Sequence, residues 1–219
     1  LAMPELQGMG YGQAAAELRG GLMHPLIPWV LAHFVLAAVV TWLARGYALK
    51  HRLLDQPGER RSHAVATPRG GGIAIVVAVV MGCVWLGIIW PGQRLFLSAY
   101  VAGLVLVAGI GWLDDHRPLT PWSRLAVQAV AGLILALGTY VSTQAWLPGI
   151  AAFVLVMVLV NVWNFMDGIN GIATSQSILF ATFISAVLAP GPLVWLAVGL
   201  SAAACGFLPF NFPTARIFL

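Results

Sequence analysis

Residues 95–115 read LFLSAYVAGLVLVAGIGWLDD, in which nineteen residues without a charged side chain are followed by two aspartates. A membrane-spanning helix needs about 20 apolar residues, so this stretch predicts one span that ends at Asp114-Asp115. A charged side chain at membrane depth costs roughly 2.5–3.5 kcal/mol on insertion scales, and such residues are usually functional. The chemistry of this protein is therefore predicted to lie at a membrane face.

The composition places the rest of the chain in a membrane as well. Sixty per cent of the 219 residues are hydrophobic and 8% are charged, with a mean hydropathy of +0.91, which excludes a soluble globular domain. No run alternates in polarity over about ten residues, as the strands of a membrane β-barrel would. The predicted fold class is an all-α integral membrane protein, a polytopic helical bundle.

We predict about seven transmembrane helices joined by short turns. Residues 1–25 are expected to form an external N-terminal tail, and residues 26–219 the transmembrane domain. The predicted spans are Leu26–Ala44, Gly72–Trp90, Leu95–Leu113, Trp122–Val141, Trp146–Trp163, Ile172–Ala189 and Leu193–Phe210. Cys83 and Cys205 both fall within spans, which argues against a disulfide framework or a cysteine-based zinc site.

The basic residues predict the orientation of the bundle. Six of the eleven Lys and Arg residues lie in the loop after the first span, and parity places three more on the same side. Cytoplasmic loops carry an excess of Lys and Arg, so this side is predicted to be cytoplasmic and the N-terminus external. The net charge of +4 is then explained by topology, and we expect no nucleic-acid partner. The basic residues are concentrated after the first span, whereas the positive flank of a signal peptide precedes its apolar run, so we do not expect a cleaved signal peptide.

A glycine run, Arg69-Gly70-Gly71-Gly72, precedes the second predicted span. Backbone N–H groups at a helix N-terminus bind anions, and an arginine adds a planar donor fork that matches phosphate. This pattern indicates phosphate binding by Arg69 and Gly70. The alternative is a flexible linker whose arginines only enforce topology or contact anionic lipid.

The pair Asp114-Asp115 ends the third predicted span, on the predicted cytoplasmic side. Adjacent carboxylates attract a divalent cation, because hard oxygen ligands suit Mg²⁺ and the metal relieves their repulsion. One of them could instead act as a general base. The alternative is a polar helix end paired with Arg117, but acidic residues at a helix C-terminus oppose the helix dipole, which favours a functional role.

Asn161, Asn164 and Asp167 recur every three residues where the fifth predicted span ends. If the helix continues through them they share roughly one face, and Gly168 and Gly171 then end it. Their oxygen atoms could coordinate a metal or hold a sugar. The alternative is a polar clamp between membrane helices.

Taken together, the motifs resemble those of the polyprenyl-phosphate N-acetylhexosamine-1-phosphate transferases. These enzymes form part of glycosyltransferase family 4, which also includes the phospho-MurNAc-pentapeptide transferases, and the likeness here is greater to the O-antigen-initiating branch. The resemblance covers nearly all of the chain from Leu26 to Leu219. The matching motifs are, in order, Glu59-Arg60-Arg61-Ser62-His63 with Thr67-Pro68-Arg69-Gly70-Gly71-Gly72; Asp114-Asp115; Asn164-Phe165-Met166-Asp167-Gly168; and Phe210-Asn211-Phe212-Pro213.

The resemblance implies a reaction in the bacterial inner membrane. A UDP-N-acetylhexosamine gives its sugar 1-phosphate to undecaprenyl phosphate at the cytoplasmic face, UMP is released, and synthesis of lipopolysaccharide or another envelope polysaccharide begins. Both substrates carry phosphates that need charge neutralisation, so the implied cofactor is Mg²⁺, with Mn²⁺ as an alternative. Membrane lipid surrounds the enzyme, and a homodimer is left open.

The resemblance also implies roles for particular residues. Asp114 is expected to be the base that acts on the lipid phosphate, Asp115 its metal-side partner, and Asp167 a group that holds the metal-bound diphosphate or the sugar. In all, the implied catalytic residues are Asp114, Asp115 and Asp167, the substrate-binding residues are His63, Arg69, Gly70, Asn164 and Asn211, and the metal ligands are Asn164 and Asp115.

The chain departs from the family pattern in two respects. Asn170 occupies a position where the family often has aspartate, which leaves a charge at that position in question. The family's next motifs, a Gly-Asp pair that supplies a metal ligand and a His-rich loop, would lie beyond Leu219, so we expect the chain to be incomplete at its C-terminus.

Two other functions remain open at this point. A transporter could use the three aspartates as an ion or proton relay, although that function favours carboxylates near mid-span beside broken helices. A fragment that binds lipid phosphate without catalysis is the second alternative. Which N-acetylhexosamine is transferred, and whether the lipid phosphate attacks directly or through a covalent phospho-enzyme, is also left open.

Overall fold

The computed structural model describes residues 11–56 and 65–219, with side chains from Pro25 onward. In this part of the chain seven α-helices run up and down, and each coincides with one predicted span, so the all-α fold is confirmed. His63 lies outside the described residues. The helices are α1 Tyr11–His51, α2 Ile73–Ile89, α3 Arg94–His116, α4 Pro121–Thr143, α5 Trp146–Met166, α6 Ile172–Val187 and α7 Pro192–Asn211.

The helix lengths refine the predicted spans. Five helical segments are long and apolar enough to cross a membrane, whereas α2 and α6 have 17 and 16 residues and fall short of about 20. The first helix differs in the other direction, because it begins at Tyr11, within the segment expected to be a tail. The five long segments are Pro25–His51, Pro91–His116, Pro121–Thr143, Trp146–Met166 and Pro192–Asn211.

Local sequence determines where several helices begin. At α4 the Thr120 hydroxyl accepts a hydrogen bond from the backbone N–H of Ser123 at 3.2 Å, and Pro121 takes the first helical position. Gly171 precedes α6 with φ of +73°, a left-handed conformation that glycine adopts without a steric penalty. These two starts place the N-termini of α4 and α6 beside the C-termini of α3 and α5.

Small residues allow the helices to approach one another closely. α1, α2 and α7 pack together, α6 packs on α7, and α3, α4 and α5 extend in a row from α2. Gly206 of α7 lies directly against the backbone of Phe34 in α1, and Gly138 of α4 lies against Ala99 of α3. Such contacts are typical of membrane bundles, where close packing replaces the hydrophobic effect between helices.

A short antiparallel sheet, which the sequence analysis did not predict, forms at one end of the bundle. Strand β1, Leu54–Asp55, pairs with β2, Thr67–Pro68, and Asp55 lies opposite Thr67. The last residues of the chain extend this arrangement, since Phe218 N–H donates to the Pro68 carbonyl at 2.9 Å and Gly71 N–H to the Phe218 carbonyl at 2.8 Å. The sheet depends on partners distant in sequence, so periodicity alone could not reveal it.

Candidate active site

A cavity of about 550 Å³, which we name the polar cavity because carboxylates line it, lies at the end of the bundle where α3 and α5 stop and α2 and α4 begin. Its wall includes both aspartate motifs together with Asn164 and Gly70. The structure therefore brings residues that are almost one hundred positions apart into one site. All three aspartates lie at helix ends. This placement disfavours the transporter alternative, because a relay favours carboxylates at mid-span.

Asp115 is linked to the glycine run through Arg69. The Arg69 guanidinium lies 3.4 Å from Asp115 Oδ1, and its other terminal nitrogen donates to Asp55 Oδ1. Asp55 is only 7% exposed, and the pairing of β1 with β2 holds it close to Arg69. Arg69 therefore bridges two carboxylates, one in the strand pair and one in the cavity wall.

Asp114 makes different contacts from its neighbour. Asp114 Oδ2 accepts a hydrogen bond from Arg124 at 2.9 Å, and Oδ1 accepts one from the backbone N–H of Leu119 at 2.8 Å. The ion-pair partner is thus Arg124 of α4 rather than the Arg117 considered from the sequence. Because both oxygens are engaged, the Asp114 side chain fixes the turn between α3 and α4.

Asp167 caps the C-terminus of α5, and its environment changes its acidity. Burial is the main cause that raises the pKa of this carboxyl to about 7, and the negative charge of Asp115 adds to the effect. A hydrogen bond from the backbone N–H of Leu219, 3.1 Å from Oδ1, and the Arg69 charge act in the opposite direction. Asp167 can therefore gain or lose a proton near neutral pH, as a general base must.

The two asparagines of the same motif have different surroundings. Asn164 is exposed and lines the cavity. Asn161 lies one turn deeper, where its amide donates to Gln128 Oε1 and to the Met157 carbonyl, both at 2.8 Å. Asn161 thus forms the polar clamp between helices that was the alternative for this motif, and Asn164 faces the cavity.

Asn211, predicted to bind substrate, is only 1% exposed and is absent from the residues that line the cavity. Its Oδ1 accepts hydrogen bonds from Gly171 N–H at 3.0 Å and the Thr174 hydroxyl at 2.9 Å, while its amide donates to the Ile217 carbonyl at 3.0 Å. Asn211 therefore ties the start of α6 to the chain segment that follows α7. That segment delivers the Leu219 N–H to Asp167.

Replacing Asn211 by leucine is expected to destabilise the protein by several kcal/mol. The change leaves the Gly171 N–H and the Ile217 carbonyl buried without their partner, and each such group costs about 1–3 kcal/mol. Thermal unfolding in detergent measures the effect. Asn164→Leu is the matched control, since Asn164 is exposed and its replacement should change stability by no more than about 0.5 kcal/mol. Equal melting temperatures for the two variants would contradict the buried-clamp interpretation.

The glycine run approaches the carboxylates very closely. Gly70 has φ of +85°, and a Cβ at this position would lie 3.4 Å from Asp115 Oδ2. The N–H of Gly71, one of the donors expected to face an anion, instead donates to the Phe218 carbonyl. The glycines thus allow the loop before α2, the segment after α7 and α3 to approach one another closely. Gly70 is the glycine that lies against the catalytic candidates.

Sequence reasoning missed Asp55, Arg124 and Gln128 as residues that support the site. Arg124 lies nine residues after Asp115, and parity of the predicted spans places it at the same membrane face, a signal that could have identified it as the partner of Asp114. Gln128 lies one turn further along α4, inside an apolar run. Asp55 had no such signal, because it stands in a hydrophilic stretch and becomes buried only through the strand pair.

The donor atoms of the cavity fit a Mg²⁺ ion that arrives with a phosphate. Among the described residues, no three His, Cys, Asp or Glu side chains lie close enough together to hold a metal ion. Mg²⁺ is commonly bound by one or two carboxylates, with water and substrate phosphates completing the shell. Asp115 and Asp167 repel each other across the cavity, which a cation would relieve, and Asn164 adds a neutral oxygen. Asp115 and Asn164 could hold such an ion, and Asp167 lies in the same cavity wall.

Comparison with known proteins identifies the family. The model of glycosyl transferase family 4 matches residues 97–219, more than half of the chain. This chain belongs to glycosyl transferase family 4. The match includes both aspartate motifs and the Phe210–Pro213 motif, and it agrees with the resemblance found from the motifs.

Relatives within glycosyl transferase family 4 carry informative names. The probable undecaprenyl-phosphate N-acetylglucosaminyl 1-phosphate transferase of Bacillus subtilis is 29% identical, over 83% of this chain and 54% of its own length. The decaprenyl-phosphate N-acetylglucosaminephosphotransferase of Mycobacterium tuberculosis is 31% identical, over 98% of this chain and 61% of its own length. A phospho-N-acetylmuramoyl-pentapeptide-transferase of Lacticaseibacillus paracasei is 31% identical, over 70% of this chain and 56% of its own length. The chain thus spans between half and two thirds of the length of these relatives.

Proposed function

We propose that this protein transfers an N-acetylhexosamine 1-phosphate from a UDP-sugar to a polyprenyl phosphate and releases UMP. The observation that carries the proposal is the convergence of Asp114, Asp115 and Asp167 on one cavity at the end of a membrane bundle. Water-soluble and membrane-bound substrates can meet only at such a face. The names of the relatives, which combine a polyprenyl phosphate with N-acetylglucosamine phosphate, support the same reaction.

The reaction joins two phosphate groups. An oxygen of the lipid phosphate attacks the phosphorus that carries the sugar, a P–O bond forms there, and the bond between this phosphorus and the bridging oxygen breaks. UMP leaves with the electron pair of that bond. Asp167 takes up the proton of a singly protonated lipid phosphate, because its pKa near 7 is close to the second pKa of a phosphate monoester, about 6.

The other residues position these groups. Asp114, which the resemblance implied as the base, has both oxygens engaged by Arg124 and the Leu119 N–H, so we assign the base role to Asp167 instead, and Asp114 fixes the turn that presents Asp115. Arg69, held between Asp55 and Asp115, supplies a fixed positive charge beside the reacting phosphates. Mg²⁺, when bound at Asp115 and Asn164, would neutralise charge on the diphosphate.

The products distinguish this reaction from other sugar transfers. Membranes from cells that produce the protein, given a UDP-N-acetylhexosamine labelled in both the sugar and the phosphate attached to it, should yield a lipid that carries both labels, together with UMP. Transfer of the sugar label alone, with release of UDP, would contradict the proposal. Testing several UDP-N-acetylhexosamines in parallel would identify the sugar.

We further propose that the cavity faces the cytoplasm of a bacterial cell and that the opposite end of the bundle is external. The support is the charge distribution of the sequence, because parity of the predicted spans assigns nine of the eleven Lys and Arg residues to the side of the aspartate motifs. In a variant whose two native cysteines are replaced by alanine, Gly92→Cys should react with a membrane-impermeant thiol reagent on intact cells. Pro118→Cys, in the exposed turn between α3 and α4, should react only after permeabilisation. The reverse labelling pattern would refute this orientation.

A further inference from the structure

A second cavity, of about 540 Å³, lies at the opposite end of the bundle from the polar cavity, where α2 ends and α7 begins. Four indole rings line it, those of Trp29, Trp85, Trp90 and Trp195, and we name it the tryptophan cavity. Met81 and Trp85 on its α2 side are 58% and 57% exposed, so the tryptophan cavity opens toward the surroundings of the bundle, which in a membrane are lipid chains. A small molecule can therefore reach it from the bilayer.

One ionisable side chain, His33, lies in the wall of the tryptophan cavity. It is only 6% exposed and stands eight residues inside the spanning segment Pro25–His51, about 12 Å from Pro25 along the helix axis. Ionisable residues at membrane depth are rare and usually functional. The polar cavity lies at the other end of the bundle, so the proposed sugar-phosphate transfer gives His33 no role.

The hydrogen bonds of His33 leave one ring nitrogen available. Nδ1 lies 2.9 Å from the Trp29 carbonyl, and a carbonyl can only accept, so Nδ1 carries the proton and Nε2 of the neutral imidazole is an acceptor. Among the residues that the structure describes, none donates a hydrogen bond to Nε2. A buried acceptor without a donor is unfavourable, so Nε2 favours a ligand that brings a donor.

Two glycines place this nitrogen at the cavity wall. A Cβ on Gly82 of α2 would lie 2.6 Å from Nε2, and one on Gly199 of α7 would lie 2.8 Å from it. A larger residue at either position would displace the imidazole, so α2 and α7 together fix its position. Trp29 fixes its orientation, through the carbonyl and through an aromatic contact with ring centroids 4.2 Å apart. Nε2 is therefore held in place before a ligand arrives, which lowers the cost of binding.

The surroundings of Nε2 select the class of ligand. One helical turn deeper, the lining residues are Leu36 and Ala78, which offer no polar side chain. A water molecule needs two to four polar partners, so an organic hydroxyl, whose carbon atoms contact the aliphatic wall, fits this position better. The indole rings favour an aromatic ligand, because aromatic rings attract one another beyond the gain from buried area. A phenol with an apolar tail combines these properties.

We propose that the tryptophan cavity binds a phenolic lipid, a molecule with a hydroxylated aromatic ring and an apolar tail. The phenol hydroxyl donates a hydrogen bond to His33 Nε2, the ring packs among the indoles, and the tail extends past Met81 and Trp85 into the bilayer. This inference goes beyond the proposed function and does not depend on it, since the tryptophan cavity and the polar cavity share no lining residue.

Two compounds, para-octylphenol and its methyl ether para-octylanisole, test the hydrogen bond directly, because only the phenol can donate. In lipid nanodiscs that contain the protein, radiolabelled para-octylphenol should bind saturably and about tenfold more tightly than the ether, the ratio expected when a buried acceptor loses its donor. His33→Phe, which keeps an aromatic ring beside Trp29, should bind the two compounds with equal affinity. Equal affinities of the unmodified protein for the two compounds would overturn the inference.

Ala32→Phe tests the cavity while it retains the imidazole. Ala32 is exposed and lines the tryptophan cavity, so the larger side chain fills the cavity without entering the packed helix contacts, and saturable binding should be lost. Ala151→Phe is the matched control, because Ala151 is exposed on α5 and lies outside the lining of both cavities. It should bind para-octylphenol as the unmodified protein does. Equal binding by the two variants, or equal binding by nanodiscs without protein, would contradict the proposed site.

Discussion

Asp167→Asn is expected to lower sugar-phosphate transfer by roughly 10²–10⁴-fold, the usual cost of losing a general base. The wild-type rate should rise with pH up to about 7 and then level off, because the carboxylate, whose pKa burial raises to about 7, accepts a proton only when it is charged. The asparagine variant should lack this acidic limb. Initial rates between pH 5 and 9 measure both effects.

The concentration of Mg²⁺ separates a base from a metal ligand at this position. If the ion binds beside Asp167, its positive charge should move the inflection of the pH–rate profile below pH 7 as the Mg²⁺ concentration is raised.

The stability of the protein gives a second readout that does not depend on turnover. Without Mg²⁺, the raised pKa means that the folded protein disfavours the charged carboxyl, so the free energy of unfolding should fall as the pH rises from about 4 through 7. Asp167→Asn should reduce that fall; an unchanged slope would contradict the assigned acidity.

Asp115→Asn should have an effect on transfer of similar size, with a different signature. The change removes the carboxylate that is expected to bind Mg²⁺ in the cavity, so the concentration of Mg²⁺ for half-maximal activity should rise while the acidic limb of the pH profile persists. Removal of Mg²⁺ by a chelator should abolish transfer by the unmodified protein, and Mg²⁺ should restore it. A Mg²⁺ titration of rate at fixed pH measures the difference.

Asp55→Asn is the matched control for Asp115→Asn. Both carboxylates contact the same Arg69 guanidinium, but Asp55 lies outside the lining of the polar cavity. Loss of the buried Asp55 charge should lower the melting temperature and leave the Mg²⁺ requirement unchanged. If the two variants shift the Mg²⁺ requirement equally, the effect arises through Arg69, and Asp115 is not a metal ligand.

The end of the bundle at which each aspartate lies was predictable from the sequence, but the contacts of its side chain were not. Parity of the spans places Asp114-Asp115 and Asp167 at one membrane face, and the structure has them in one cavity. Which aspartate is engaged and which is available depends on partners from other elements, namely Arg124 for Asp114 and the Leu219 N–H for Asp167. The same holds for Asn211, whose motif predicts substrate binding and whose side chain is buried.

The sequence by itself determined that this chain forms seven apolar helices with the acidic motifs at their ends, because hydrophobic run length and charge distribution act locally along the chain. Only the tertiary structure decided the rest. The strand pair that buries Asp55, the hydrogen bonds that tie the end of the chain to Pro68 and Gly71, and the burial that raises the pKa of Asp167 all arise between segments far apart in sequence. Their physical basis is pairing and desolvation, which exist only once the helices have packed.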